Sequence, residues 1–301
     1  MPGDQDHPLQ GGMMNTVTRR GDRVVRTAPD HAPTLHTFLT RLAQAGFTGA
    51  PAPLALRPDD GREELTFIEG EVALPPFPAW ALRDEALVQV AALLRRYHDA
   101  AATIPLDPDV DWPTALSDPE GGTLLCHNDP CLENIVFRHG RAAALIDFDL
   151  AAPGRPVWDL AALAFYLGPT LDPESATTSG FQGLNVARRL RLMADAYDMT
   201  RSDREILPAT VRLYNEVSRT FVRTMVEGGE PLFIRDLERF GGWVRWDRRN
   251  DWLTQQEPRF LRALLESTWP GPEGPGLEVA PNRLLGWTPP SRHPLWGGRD
   301  A

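Results

Sequence analysis

Residues 123–150 read Thr123-Leu-Leu-Cys126-His127-Asn128-Asp129-Pro-Cys131-Leu-Glu133-Asn134-Ile-Val-Phe137-Arg-His139-Gly140-Arg-Ala-Ala-Ala-Leu-Ile146-Asp147-Phe148-Asp149-Leu150. Leu124-Leu125 leads into a polar loop, His127 to Asn134. Ile135-Val136-Phe137 is a short run of β-formers, and His139-Gly140 is a turn signal. Ala142 to Ile146 is a second apolar run that ends on Asp147. Two strands joined by a tight turn put Asn134 and Asp147 at neighbouring ends of one hairpin, with Asp129 in the loop that feeds it. The pattern predicts a carboxylate, an amide and a second carboxylate converging on one spot.

Phosphoryl transfer asks for such a set. Little covalent work falls to the protein, and positioning and charge neutralisation do most of it. Mg²⁺ takes hard oxygen ligands, usually one or two carboxylates with phosphate oxygens and water. Asp147 and the Asn134 carbonyl oxygen suit that role. A free carboxylate within reach of an acceptor hydroxyl can orient it and take its proton, and Asp129 suits that one. A hairpin with solvated acids at its ends is the plain alternative. Loop, strand, turn and second aspartate in register weigh against it.

The run His127-Asn-Asp129-Pro-Cys-Leu-Glu-Asn134 matches the His-x-Asp-x-x-x-x-Asn catalytic loop of the kinase superfamily, and Ile146-Asp-Phe-Asp149 stands where protein kinases carry Asp-Phe-Gly. Together they resemble the aminoglycoside phosphotransferase family, which also holds choline, homoserine and fructosamine kinase-like members. Pro156-Val-Trp-Asp159-Leu-Ala resembles the helix after that family's metal loop. Gly11-Gly12 and Phe67-Ile68-Glu69-Gly70 resemble parts of its ATP lobe. The resemblance is strong over 124–165 and weaker across the rest of 9–265.

It implies an α+β, two-lobed protein-kinase-like fold, with a small N-terminal antiparallel sheet lobe carrying one helix and a larger, mostly helical C-terminal lobe. The expected boundaries are 1–70 for the ATP lobe, 71–268 for the helical lobe and 269–301 for a tail rich in Pro and Gly. The implied activity is ATP-dependent phosphorylation of a small hydroxylated molecule with Mg²⁺, with GTP still open as donor. Asp129 is the catalytic candidate, and Asn134 and Asp147 are the metal candidates. Gly11, Gly12, Arg26, Phe67 and Glu69 are the nucleotide candidates, and His127 and Asp149 are supports. No long loop or Ala-Pro-Glu element follows Asp147, which argues against a protein substrate.

The N-terminal pattern fits the smaller lobe. Thr16–Arg19, Arg23–Thr27, Leu54–Leu56 and Glu64–Ile68 read as strands, with turns at Gly21-Asp22 and Asp59-Asp60-Gly61. Leu35, Phe38, Leu39 and Leu42 recur at helical spacing, with Asp30 as the expected N-cap and Gly46 as the stop. Leu87, Val90, Ala91, Leu94 and Tyr97 mark the buried face of the next helix.

One departure matters. All 31 basic residues of the Lys+Arg class are arginine, so the strand lysine of a kinase ATP lobe is missing. Arg26 stands in the matching strand. Helix 31–45 has no acid to pair with it, so the usual ion pair is absent or built from elsewhere. A nucleotide-binding pseudokinase is therefore the rival reading.

A net charge of −10 opposes a non-specific nucleic-acid binder; it agrees weakly with a cationic acceptor, and plain solubility accounts for it more simply. Two cysteines are too few for a disulfide framework or a zinc site. Met1 to Gly12 has no secretory apolar core, and no run is long enough to span a bilayer, so the expected address is the cytoplasm with no membrane partner.

Overall fold

The computed structural model describes residues 7–8, 17–57 and 59–266. Gly11, Gly12 and the 269–301 tail lie outside the described residues. Five strands form one antiparallel sheet: β1 (His7–Pro8), β2 (Thr18–Arg20), β3 (Arg23–Thr27), β4 (Pro53–Arg57) and β5 (Arg62–Thr66), in the order β1-β2-β3-β5-β4. Gly21 turns β2 into β3 at φ +62°, a conformation that a residue without Cβ adopts freely.

Helix α1 (Ala32–Gln44) joins β3 to β4 and buries Leu35, Phe38, Leu39 and Leu42, the predicted stripe. Its N-cap is His31 rather than Asp30, with no side-chain cap bond. Pro33 sits in the first turn, where a missing N–H leaves no helical bond unmade. The last strand also differs from the expected span. β5 begins at Arg62 and ends at Thr66, because Thr66 already faces Arg23 at the start of β3. Phe67 then turns its N–H to Asp22 (2.8 Å) and leaves the sheet.

Beyond the connection, α2 (Asp84–Ala101) buries the predicted face. β6 (Leu124–Cys126) pairs with β9 (Ala152–Gly154), and β7 (Ile135–Arg138) pairs with β8 (Arg141–Leu145) in the expected hairpin, Ile135 opposite Leu145. Helices α3 (Pro156–Tyr166), α4 (Pro173–Thr178), α5 (Val186–Tyr197), α6 (Arg201–Glu227), α7 (Pro231–Arg239) and α8 (Gly242–Leu265) complete the larger lobe.

A continuous buried core runs from Leu35 and Phe38 of α1 through Leu94 and Phe148 to Trp158 and Tyr214. Burying each of these large side chains contributes about 1.5–3 kcal/mol, which makes the core a firm floor for the polar loops above it. The connection is tied down as well: Glu71 and Phe137 exchange backbone bonds at 2.9 and 2.7 Å. Gly70 approaches β7 so closely that a Cβ would meet Val136 Cγ1 at 2.4 Å. Among the described residues no helix is long and apolar enough to cross a membrane. Cys126 and Cys131 are both free thiols.

Candidate active site

The polar loop between β6 and β7 is held from below by Asp159 of α3. This carboxylate is fully buried. Its Oδ2 accepts from the His127 N–H (2.7 Å) and from His98 Nε2 (2.9 Å), and its Oδ1 accepts from the Asn128 N–H (2.7 Å). A carboxylate taking several bonds in a buried setting is strongly bound. Asp159 thus clamps the loop from α3. The Tyr214 hydroxyl donates to the Asn128 carbonyl at 2.7 Å, which fixes the loop from α6. Asn128 sits at φ +66°, and the two clamps over-determine that strained conformation.

His127 spends its ring on the loop itself. Its Nδ1 receives the Asp129 N–H (3.3 Å), so Nε2 must carry the proton donated to the Ile146 carbonyl (2.9 Å). Both ring nitrogens are thus engaged in holding the loop against the Ile146-Asp147 turn.

Asn134 makes two contacts, to the Asp129 carbonyl and to Asp129 Oδ2, each 3.0 Å. Both partners are acceptors, so the amide nitrogen must face them. The Asn134 carbonyl oxygen is left for something else. The Ile146 N–H bonds to the Asn134 backbone carbonyl (2.9 Å), bringing the loop and the second aspartate side by side. Burial is the main influence raising the Asp129 pKa above the ordinary carboxylate range. The neighbouring Tyr166 hydroxyl, the His127 ring and the Asn134 amide oppose that shift, and the charge on Asp147 adds to it.

Arg26 connects the lobes. Its Nε bonds Glu63 Oε1 at 2.7 Å, Nη1 bonds Asp147 Oδ1 at 2.9 Å, and Nη2 bonds Asp149. Only 7% of the residue is exposed. The partner missing from α1 is therefore Glu63 of β5, directly opposite Arg26 in the ladder. His36 of α1 holds the other Glu63 oxygen at 2.7 Å. Glu63 was not foreseen as a site residue. Asp149 joins the cluster through its bond to Arg26. Burial raises its pKa to about 6, with Arg26 opposing and the Asp147 charge adding. Asp147 stands at φ +64°, a left-handed conformation secured by the Arg26 bond.

Arg26, Phe67, Asn134 and Asp147 line one cleft with Val24 and Val136. Glu69 does not line it. Its carboxylate pairs with Arg19, whose guanidinium also covers the Phe67 ring at 3.7 Å. Among the described residues no cluster of three His, Cys, Asp or Glu could hold a metal ion. A cation that shares its shell with phosphates and water needs only one or two protein ligands. Asn134 with its free carbonyl oxygen, beside the Asp147 carboxylate, meets that smaller demand.

A small sheet lobe over a helical lobe, with a clamped loop aspartate held beside an Ile-Asp-Phe-Asp turn, defines a class: kinase-like phosphotransferases that act on small molecules. The model of the phosphotransferase enzyme family matches residues 109–193. The trifolitoxin immunity protein of Rhizobium leguminosarum bv. trifolii is 34% identical over 200 residues, covering 65% of this chain and 75% of that protein. The chain belongs to the phosphotransferase enzyme family. Solved structures agree on the fold. A choline/ethanolamine kinase family protein from Mesorhizobium loti superposes with a TM-score of 0.60 at 18% identity, over 87% of this chain and 92% of that one. The GDP complex of aminoglycoside 2'-phosphotransferase-IIIa gives 0.50 at 12% identity, over 86% and 94%.

Proposed function

We propose that this protein transfers the γ-phosphoryl group of ATP to a hydroxyl of a small molecule. The observation that carries the reading is the Asn134 amide, fixed by two bonds to Asp129 so that its carbonyl oxygen is left free beside Asp147. Asn134 and Asp147 would hold Mg²⁺, which when bound neutralises charge on the phosphates. GTP remains an alternative donor.

Asp129 orients the acceptor hydroxyl and receives its proton. Its raised pKa makes it a better base than an exposed aspartate, while the Tyr166 hydroxyl and the Asn134 amide restrain the rise. Arg26 neutralises phosphate charge from the sheet side, where a kinase normally uses lysine. Its two Nη groups hold Asp147 and Asp149 here and would turn from those carboxylates to meet phosphate oxygens. Glu63 and His36 aim it. This replacement weighs against the pseudokinase reading, because the position is filled and supported rather than lost. We assign residues 1–70 and 71–268 to the two lobes that close on the nucleotide.

The relative named for trifolitoxin immunity favours a second, narrower reading, in which the acceptor is a toxic small molecule that phosphorylation disarms. The test of both is the same. The protein is incubated with labelled ATP, Mg²⁺ and a panel of hydroxylated compounds, and label transfer is compared with that of Asp129→Asn. Transfer that is lost in the variant supports the reading; equal transfer by both proteins contradicts it.

A further inference from the structure

Eight buried side-chain polar atoms lack a hydrogen-bond partner among the described residues, and half of them gather at one interface. These are Asn215 Oδ1, Ser218 Oγ and Arg219 Nε of α6, and Asn250 Oδ1 of α8. Asn215 is 1% exposed and Ser218 4%. A buried polar atom without a partner costs about 1–3 kcal/mol, so a cluster of them on facing helices is a feature to be explained.

The two helices run antiparallel. Arg212 pairs with Glu257 (3.1 Å) and Arg219 with Asp247 (2.6 Å), a register that sets Asn250 across from Asn215 and Ser218. The same strip adjoins the reaction centre. Tyr214, next to Asn215, holds the Asn128 carbonyl, and its hydroxyl lies 3.5 Å from that of Tyr166, the neighbour of Asp129. Trp246, one turn before Asn250, stacks on Phe165 at 6.2 Å and closes the side toward α3.

We infer that this strip is the acceptor subsite and that it takes an uncharged, polyhydroxylated molecule of the sugar or cyclitol kind; the inference rests on the phosphotransfer reading above. The chemistry decides between three classes. Residues 214–223 and 243–250 carry five arginines against two acids, Glu216 and Asp247. Arg223, Arg245 and Arg249 have no carboxylate partner among the described residues. A polycation meets repulsion there, despite the net negative charge of the whole chain. An anion meets the two amide oxygens, whose lone pairs repel it. Hydroxyl groups satisfy both kinds of wall: they donate to Asn215 and Asn250 and accept from Ser218 and Arg219. A flat indole such as Trp246 adds an apolar face for a ring.

The test uses the full-length protein with Mg²⁺ and ATP, and measures phosphorylation of myo-inositol, methyl glucoside and the polycation kanamycin. The wild type should prefer a neutral polyol. Ser218→Ala and Asn250→Ala should each raise the polyol KM roughly tenfold, the effect of losing one hydrogen bond to a substrate. Nucleotide affinity by calorimetry and the thermal midpoint should stay near wild type, so that a folding defect is told apart from a lost contact. Asn215→Asp should move the preference toward kanamycin. A wild type that prefers kanamycin overturns the subsite inference and leaves the kinase reading intact, as does an unchanged polyol KM in both alanine variants. A protein that binds no Mg²⁺-nucleotide and labels no acceptor overturns both.

Discussion

Asp129 has to be a buried carboxylate and a working base at once. Desolvation lifts its pKa, while the Tyr166 hydroxyl and Asn134 amide restrain the rise. A raised pKa means the basic form is lost at a higher pH than for an ordinary aspartate. The rate should therefore fall as pH drops, with an acid limb above the exposed-aspartate value of about 3.9. Asp129→Asn should lower kcat by roughly 10²–10⁴ with nucleotide affinity retained, the range expected for a lost general base. Steady-state kinetics from pH 4 to 8 measures both. Much of this residue-level picture was legible, because Asp129, Asn134 and Asp147 lie within one local motif whose spacing reports geometry. Glu63 was not. It lies just before the strand expected from Glu64, in a charged run, Arg62-Glu63-Glu64, yet Glu63 is fully buried and Glu64 nearly so. Their burial depends on cross-strand arginines far away in sequence, Arg26 for Glu63, and Arg23 with Arg57 for Glu64. Hydropathy carries no trace of such pairing.

At the scale of elements, α3 anchors the catalytic loop through a single side chain. Asp159 takes three bonds from donors that have no water to turn to. Asp159→Asn would set an amide N–H against at least one of those donors. Leaving a buried donor unsatisfied costs about 1–3 kcal/mol, so the unfolding free energy should drop by about that much or more. Urea denaturation followed by fluorescence would show it, and an unchanged midpoint would argue that the clamp is dispensable. In the sequence Asp159 is an acid near a helix start, and nothing in its spacing links it to the loop. Only the packing of α3 against β6 turns that carboxylate toward the loop. Helix periodicity, by contrast, was readable for α1 and α2, because each buries one apolar stripe against the common core.

For the whole molecule, polar ties cross the cleft beside the apolar core that α1 shares with the larger lobe. Arg26 reaches Asp147 and Asp149, Glu71 pairs with Phe137, and Arg138 Nε donates to the Glu69 carbonyl at 3.1 Å. Arg26→Ala would strand the buried Glu63 carboxylate, and breaking a buried pair from one side costs about 3–5 kcal/mol. Arg26→Lys should keep much of that stability but weaken nucleotide binding, since one ammonium cannot serve Glu63 and two aspartates in the same plane. Thermal unfolding and nucleotide titration separate the two effects. The two-lobed fold was legible through the family resemblance over 124–165, and the order of strand and helix patterns agrees with it. The bridge across the cleft was not, because it joins residues more than a hundred positions apart.

The most direct test of the phosphotransfer account is calorimetric titration of a non-hydrolysable ATP analogue into wild type and Asp147→Asn, with and without Mg²⁺. The account predicts Mg²⁺-dependent binding by the wild type and at least a roughly tenfold weaker, Mg²⁺-insensitive binding by the variant. Equal affinity in both proteins, or wild-type binding indifferent to Mg²⁺, would contradict it.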